Sequence, residues 1–254
     1  MFQKATRNQS HIKLAITGPS GSGKTYSALR LAQGLTQTGK IAFIDTENGS
    51  ASLYSDAFNF DVVDVSPPFQ IGKLVDAVKE ALNGGYDVLV IDSASHWWQG
   101  VLEYKDQLDK RGGNSFSNWG EANRHYDLFL RAVLFSKIHV ICCMRSKMDY
   151  VLELNDKGKQ VPKKVGMAPV MRDGIEYEFS AVLDLDTHHQ AQASKDRTGL
   201  FEGNIFVITE ETGEQLKDWL NFAPVQQEQA MPITGQPAIQ RRKTTTAVRT
   251  PIPR

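Results

Sequence analysis

The chain has 254 residues with 29 basic and 29 acidic side chains, so its formal net charge is zero and no overall field favours a nucleic-acid partner. Apolar residues make up 41% of the sequence, enough for a substantial core, but no apolar run approaches the length of a membrane span. The first seven residues lack the apolar segment of a signal peptide. Cys142 and Cys143 lie side by side in an apolar stretch, where we expect reduced core residues of a cytoplasmic protein.

A strand, a glycine-rich loop and a helix are predicted in succession between residues 12 and 38. Residues 12–16 are apolar except for Lys13, as in a short buried strand, and residues 25–38 repeat apolar side chains at helical spacing before Gly39. The loop between them fits Gly-x-x-x-x-Gly-Lys-Ser/Thr, the phosphate-binding loop of nucleoside triphosphatases. The residues expected to bind nucleotide are Gly18, Pro19, Ser20, Gly21, Ser22, Gly23, Lys24, Thr25 and Tyr26.

The chemistry of this loop depends on its residue order. Glycines allow a tight turn whose N–H groups point at phosphates, and the helix that follows adds its positive dipole end. Lys24 is the expected cation for the β- and γ-phosphates, and the Thr25 hydroxyl is an expected Mg²⁺ ligand. The alternative is a glycine-rich turn that binds nothing, which the order of strand, loop and helix argues against.

The second predicted strand, residues 40–45, delivers Glu47 to the carboxyl edge of the sheet, where open α/β sheets bind their ligands. A carboxylate beside the γ-phosphate can orient and deprotonate water, so Glu47 is a candidate catalytic base. An exposed turn residue is the alternative. A third strand at 62–65 and a helix at 69–82 follow.

Residues 86–92 form an apolar run that ends in Asp92. A strand of this kind after a phosphate loop predicts a second Mg²⁺ ligand opposite Thr25. The alternative is an aspartate that terminates the strand at a turn.

Two basic segments follow in the second half of the chain. Residues 95–136 are expected to be mostly helical, with a Gly/Asn/Ser-rich break at 110–118 that contains Arg111. Residues 138–144 predict a strand with Arg145 at its tip, and residues 150–165 a hairpin projecting from the sheet. Both segments are candidate contacts for single-stranded DNA, with Phe116, Trp119 and Tyr150 either stacking on bases or buried in the core. The hairpin lysines proposed for this contact are Lys157, Lys159, Lys163 and Lys164.

The remaining pattern predicts strands at 176–186, 189–197 and 205–208 and a last helix at 210–222. Together these elements predict an α/β fold: a RecA-like P-loop NTPase core whose mostly parallel sheet is flanked by helices, with late antiparallel strands and a projecting hairpin. We expect a lead-in at 1–11, one ATPase domain at 12–223 and a disordered tail at 224–254. The tail carries five basic residues and one acidic residue, so it is either a weak nucleic-acid contact or a solvated end.

From residue 12 to about 220 the chain resembles the RecA-like ATPases encoded by bacteriophages and prophages. The segment Phe-Ile-Asp-Thr-Glu at 43–47 is similar to the Phe-Ile-Asp-Ala-Glu of RecA recombinases, and further motifs match at 145–147, 172–178 and 194–199. The resemblance implies that Glu47 activates the attacking water and that Tyr54, seven residues later, stacks on adenine. It also implies ATP and Mg²⁺ as cofactors and a cytoplasmic location in a bacterial host, without membrane contact.

Lys195 and Arg197 are alternate residues and are expected on one face of a strand. They resemble the Lys-x-Arg pair that KaiC-type and replicative-helicase ATPases insert into the neighbouring subunit's site, which implies a ring or a filament. A solvated turn with two ordinary cations is the alternative. Arg145 is expected to sense the γ-phosphate and signal to the hairpin, although RecA itself has a glutamine there.

The expected function is ATP hydrolysis coupled to single-stranded DNA binding by an oligomer, in phage-type recombination, annealing or replication. The alternative is a KaiC-like signalling or assembly ATPase whose hairpin contacts a protein. A nucleotide kinase is disfavoured because no Arg-rich lid or acceptor-nucleotide segment is present. The expected partners are further copies of the chain and single-stranded DNA, with a single-strand binding protein as a further candidate.

Overall fold

The computed structural model describes Phe2 and residues 5–7, 10–154 and 160–222, with only the backbone described at 148–154 and 160–166. Among these residues, no helix is long and apolar enough to cross a membrane. The strands are β1 (Lys13–Gly18), β2 (Ile41–Asp45), β3 (Asp61–Asp64), β4 (Val88–Asp92), β5 (His139–Leu154), β6 (Gln160–Pro169), β7 (Ala181–Leu185), β8 (Gln190–Asp196) and β9 (Ile205–Val207). The helices are α1 (Lys24–Leu35), α2 (Ile71–Asn83), α3 (Ala94–Arg111), α4 (Ser115–Leu134) and α5 (Glu210–Asn221), with 3₁₀ turns at Ala51–Tyr54 and Ile175–Glu178.

The sheet has the strand order β3-β2-β4-β5-β1-β7-β8-β9, and β6 pairs with β5. The strands from β3 to β7 along this order are mutually parallel, whereas β6, β8 and β9 each pair antiparallel with a neighbour. Gly18 is level with Arg145, and Asp45 is level with Asp92. The predicted α/β fold with a mostly parallel sheet and late antiparallel strands is therefore confirmed, and the ends of four parallel strands meet at one edge.

Helices cover both faces of the sheet. On one face α2, α3 and α4 pack over the sheet around a core that includes the fully buried Trp97, and on the other face α1 and α5 do so. The α1–α5 contact is close because of two glycines: a Cβ at Gly34 would lie 1.8 Å from the Glu210 carbonyl oxygen, and one at Gly213 would lie 2.2 Å from that of Leu31. Every residue of β1, β2 and β4 is buried, which explains why these strands are mostly apolar.

The two cysteines lie in the first third of β5, and both are buried free thiols, as predicted. Burial raises the pKa of Cys142 to about 12, and it raises that of Cys143 well above its ordinary value. Both thiols are therefore protonated and unreactive at neutral pH.

Three element predictions were wrong in detail. The helix break covers only residues 112–114, because Asn114 caps α4 by accepting a hydrogen bond from the Phe116 N–H at 2.8 Å. Residues 176–178 belong to a 3₁₀ turn, and the strand predicted from 176 begins at Ala181. The predicted strand at 138–144 and the first arm of the hairpin are one continuous strand, β5, of 16 residues.

A buried histidine at the start of β5 makes the stability of the fold depend on pH. The His139 Nδ1 accepts a hydrogen bond from the Ile12 N–H at 3.0 Å, which requires an unprotonated Nδ1. Burial, followed by the charges of His11 and Lys13, lowers the pKa of His139 from 6.5 to about 4. Because the unfolded chain binds this proton at a higher pH than the folded chain, stability is complete above about pH 6.5 and falls as the pH drops towards 4.

We expect the His139 contribution to the free energy of unfolding to fall by about 3 kcal/mol over this range, since one pKa unit corresponds to about 1.4 kcal/mol. Urea unfolding at several pH values between 4 and 7 measures it. In the His139→Asn variant the amide oxygen can replace Nδ1 as acceptor but does not titrate, so its stability should depend less steeply on pH. Equal pH dependence in both proteins would contradict this role.

Candidate active site

A cavity of about 530 Å³ opens at the edge where the parallel strands end. It contains the phosphate loop, the turn after β2, the tip of β4 and the tip of β5, which the sheet register brings to one level. The residues that line it are Ser20, Gly21, Gly23, Lys24, Thr25, Glu47, Tyr54, Asp92, Arg145, Ser146 and Val170. Sequence motifs that lie more than 100 residues apart thus form one site.

The phosphate loop has the backbone that its glycines predict. Gly21 and Gly23 have φ values of 78° and 82°, in the left-handed region that other residues rarely adopt. A Cβ at Gly18 would lie 2.4 Å from the Ser22 hydroxyl, so the loop closes tightly on itself. The 12-residue helix α1 begins at Lys24, which lines the cavity, and the N–H groups of a first helical turn are a favourable environment for phosphate.

Lys24 lies across this loop. Its Nζ donates hydrogen bonds to the carbonyl oxygens of Gly18 and Pro19, at 3.1 and 2.9 Å. These neutral acceptors hold the ammonium group beside the cavity without neutralising it. The charge of Lys24 is therefore positioned for an anionic ligand.

Thr25 and Asp92 meet at the base of the cavity, where the Thr25 hydroxyl donates to Asp92 Oδ2 at 2.6 Å. Asp92 is only 2% exposed, and burial raises its pKa to about 6, although the hydroxyl bond opposes the shift. A cation would offset the cost of keeping this buried carboxylate ionised. A hydroxyl and a carboxylate are hard oxygen donors, and Mg²⁺ commonly takes one or two such protein ligands together with phosphate and water. The residues present therefore fit Mg²⁺.

Glu47 and Arg145 form an ion pair at the mouth of the cavity. Glu47 Oε1 lies 3.0 Å from Nε and 2.9 Å from one terminal nitrogen of Arg145. The turn that carries Glu47 is fixed by the buried Asp45, whose carboxylate accepts hydrogen bonds from the backbone N–H groups of Glu47 and Ala51. The backbone of Glu47 is thus held by Asp45, and its carboxylate is held by the guanidinium of Arg145.

Comparison with known protein families identifies the domain that forms this cavity. Residues 10–215 match the family model of the AAA domain. The chain belongs to the AAA domain family. A search among curated proteins finds no match. The AAA domain is a nucleotide-binding P-loop ATPase domain, which implies ATP binding and agrees with the phosphate loop and the cavity beside it.

A buried polar network that sequence reasoning missed supports the ATPase site of the AAA domain. The Thr46 hydroxyl accepts a hydrogen bond from the Ser93 N–H at 2.7 Å and lies 2.7 Å from His96 Nδ1. The Ser95 hydroxyl accepts from the Arg145 N–H at 3.0 Å. These contacts join the ends of β2, β4 and β5 to the start of α3. The only sequence signal is that polar residues directly follow the apolar strands, at Thr46 and Ser93.

One side of the cavity is aromatic. Tyr54 lines it, and the ring of Tyr26 lies 5.6 Å from that of Tyr54 and 5.3 Å from that of Phe58. The predicted stacking of Tyr54 on adenine remains a prediction, but the ring is supported by its neighbour and borders the nucleotide cavity of the AAA domain.

Lys195 and Arg197 lie away from this chain's own phosphate loop. Lys195 pairs with Val182 of β7, and Val182 pairs with Ala15 in the first half of β1. The phosphate loop, in contrast, follows the carboxyl end of β1. Both cations donate to the Tyr177 carbonyl oxygen, at 2.7 and 3.2 Å, although Arg197 lies one residue beyond the end of β8. The structure therefore does not bring these two residues into the site that the same chain forms.

The proposed DNA contacts are only partly described. Arg111 is exposed in the last turn of α3, and Lys163 and Lys164 lie on β6 opposite Val151 and Tyr150 of β5. Lys157 and Lys159 lie outside the described residues, as does the basic tail at 224–254. Two of the three candidate aromatics have a described environment: Phe116 is 86% exposed, whereas Trp119 is half-buried against the core.

Proposed function

We propose that this AAA-domain protein hydrolyses ATP in a Mg²⁺-dependent reaction and binds single-stranded DNA as an oligomer, in phage-type recombination, annealing or replication. One observation carries the link between hydrolysis and DNA. Strand β5 continues from the sheet through Arg145, beside Glu47, into the basic hairpin, with a register shift in its pairing with β6 between Asp149 and Tyr150. A ligand on the hairpin and a nucleotide in the cavity would therefore act on the same strand.

The cavity contains the groups that phosphoryl transfer to water requires. Lys24 and the loop N–H groups would bind the β- and γ-phosphates, and Tyr54 would pack against the base. Thr25 and Asp92 would hold Mg²⁺, which neutralises phosphate charge when it is bound. Glu47 would orient a water molecule and take its proton while the water oxygen bonds to the γ-phosphorus and the bond to ADP breaks.

Arg145 is the proposed connection between the two sites. Its side chain pairs with Glu47, its N–H donates to Ser95, and its carbonyl oxygen accepts a hydrogen bond from the Val170 N–H at 2.6 Å. Val170 directly follows β6, so both arms of the hairpin are attached to this residue. A γ-phosphate would compete with Glu47 for the guanidinium, and displacement of the hairpin would move the same group. We therefore expect DNA to increase the rate of hydrolysis.

The direct test is ATP hydrolysis with and without a long single-stranded DNA at low and moderate salt, with Lys24→Ala as the inactive reference. We expect DNA to stimulate hydrolysis and salt to weaken the effect, because phosphate contacts release counterions. A Lys163→Glu/Lys164→Glu variant should lose most of the stimulation by DNA. The slope of its DNA affinity against salt concentration should also fall by the equivalent of about two phosphate contacts. Lys79→Glu, a charge reversal at an exposed position on α2, is the matched control.

Hydrolysis that does not respond to DNA, in a protein that retains no oligonucleotide, would contradict the DNA part of this proposal. That result would favour the KaiC-like alternative, in which the hairpin contacts a protein. It would leave the ATPase assignment of the domain unchanged, because that assignment depends on the family and on the phosphate loop.

A further inference from the structure

A second cavity, of about 390 Å³, lies between helices α3 and α4 and the segment that leaves the hairpin. Its volume is within the range of about 300–1,000 Å³ that is usual for ligand sites. It is separate from the nucleotide cavity, with which it shares no lining residue. The residues that line it are Trp98, Trp119, Asn123, Met171, Arg172 and Asp173.

Two tryptophans form the apolar part of this second cavity. Trp98 and Trp119 are both half-buried and pack against the core on the α2–α4 face of the sheet. The Trp98 ring meets the Tyr126 ring edge-on at 5.5 Å, and the Lys105 ammonium lies 5.3 Å from the centre of the Trp119 ring. Each indole is therefore fixed by the protein on one side while part of its surface borders the cavity.

Asn123, Arg172 and Asp173 form the polar part of the cavity. The Arg172 guanidinium lies 5.1 Å from the centre of the Tyr126 ring, which supports it without using its hydrogen-bond donors. Among the residues that the structure describes, none forms a hydrogen bond with the side chains of Asn123, Arg172 or Asp173. An amide, a guanidinium and a carboxylate together offer the donors and acceptors that match the polar edge of a planar heterocycle.

We propose that this second cavity binds an unstacked base of single-stranded nucleic acid; the inference rests on the DNA binding proposed above. Proteins hold single strands by stacking bases on aromatic side chains and by placing cations along the phosphates, and both features meet here. Residues 171–173 follow β6 after one intervening residue, Val170, and the stretch from Arg145 to Asp173 has seven Lys or Arg against four Asp or Glu. The base site thus adjoins the basic hairpin.

The position of the second cavity also explains how an occupied strand would reach the ATPase site. Arg172 is two residues from Val170, which lines the nucleotide cavity and is bonded to the Arg145 carbonyl. A base held against Arg172 would restrain this short segment. The base site is therefore connected to the Glu47–Arg145 pair through residues 170–172 and the hydrogen bond between Val170 and Arg145.

The test is binding of a 20-nucleotide oligo-dT to the full chain, followed by the quenching of intrinsic tryptophan fluorescence. We expect wild type to be quenched and Trp119→Leu to bind about 5- to 150-fold more weakly, since stacking on an aromatic side chain is worth about 1–3 kcal/mol per base. Trp119→Phe should restore most of the affinity. Salt dependence should not change in Trp119→Leu, because no ionic contact is removed. Arg172→Gln should also weaken binding of the oligonucleotide, because it removes the guanidinium that lines the cavity.

Trp219→Leu is the matched control, because Trp219 is also half-buried beside a cation, with the Arg7 guanidinium 4.8 Å from its ring, but it packs on the opposite face of the sheet. Its variant should bind and be quenched like wild type. Normal oligonucleotide binding by both Trp119→Leu and Arg172→Gln would overturn the base site while leaving the proposed function intact. Failure of wild type to bind oligo-dT would overturn both.

Discussion

Replacing Glu47 with glutamine is expected to lower ATP hydrolysis by about 10²- to 10⁴-fold, the usual contribution of a general base. The amide keeps the size of the side chain and one oxygen that can accept from Arg145, so the mouth of the cavity should keep its shape. It cannot take a proton from water. Nucleotide affinity should stay within a few-fold of wild type, because the phosphate loop, Thr25 and Asp92 are unchanged.

Phosphate release under saturating ATP measures the rate, and titration with a fluorescent ATP analogue measures affinity. Glu103→Gln is the matched control, since Glu103 is a surface residue of α3 whose carboxylate accepts a hydrogen bond from Gln99. A Glu47→Gln variant that hydrolyses ATP at nearly the wild-type rate would contradict the assignment. A large loss of affinity with an unchanged maximal rate would instead indicate that Glu47 acts mainly in binding.

The parts of the site that are predictable from sequence are those encoded by a few adjacent residues. The spacing of Gly18, Gly23 and Lys24 specifies a loop whose backbone needs positive φ angles, and the structure has them. Asp92 ends an uninterrupted apolar run, which is typical of a buried parallel strand. Parallel strands then place such ends at one edge, so Glu47, Asp92 and Arg145 come together without any further sequence signal.

The missed features depend on contacts between distant segments. The bonds of Thr46 to Ser93 and His96 exist only once β2 and β4 are paired. Nothing in the local sequence separates these polar residues from ordinary turn residues. Patterns in a short stretch of sequence cannot predict these hydrogen bonds, because the bonded residues are about 50 positions apart.

The wrong boundaries also have local physical causes. Residues 176–180 alternate in a way that favours a strand, but Gly174 adopts a φ of 86° and starts a 3₁₀ turn there. That turn presents the Tyr177 carbonyl to Lys195 and Arg197. The predicted length of the Gly/Asn/Ser-rich break was too great, because polar residues such as Ser115 can begin a helix as readily as they can extend a loop.

Replacing Arg197 with alanine is expected to reduce hydrolysis by about 10³- to 10⁵-fold, the effect of an arginine that stabilises transition-state charge. Arg197 lies near the amino ends of the parallel strands, whereas the phosphate loop lies at the carboxyl ends. It would therefore act on a neighbouring subunit. Nucleotide binding by the isolated variant should remain, since no residue of its own cavity changes. Arg131→Ala, at an exposed position on α4, is the matched control.

Mixing two inactive variants shows whether Arg197 acts in the active site of a neighbouring subunit or in that of its own subunit. Arg197→Ala subunits keep Lys24, and Lys24→Ala subunits keep Arg197, so an interface between them can combine an intact phosphate loop with an intact arginine. If the subunits assort at random in a ring or filament, about a quarter of the interfaces in an equal mixture should be active. Recovery of hydrolysis on mixing would require contact between subunits. A mixture as inactive as its components, in a preparation whose subunits demonstrably exchange, would exclude the role in the neighbouring site, because neither chain alone carries both groups.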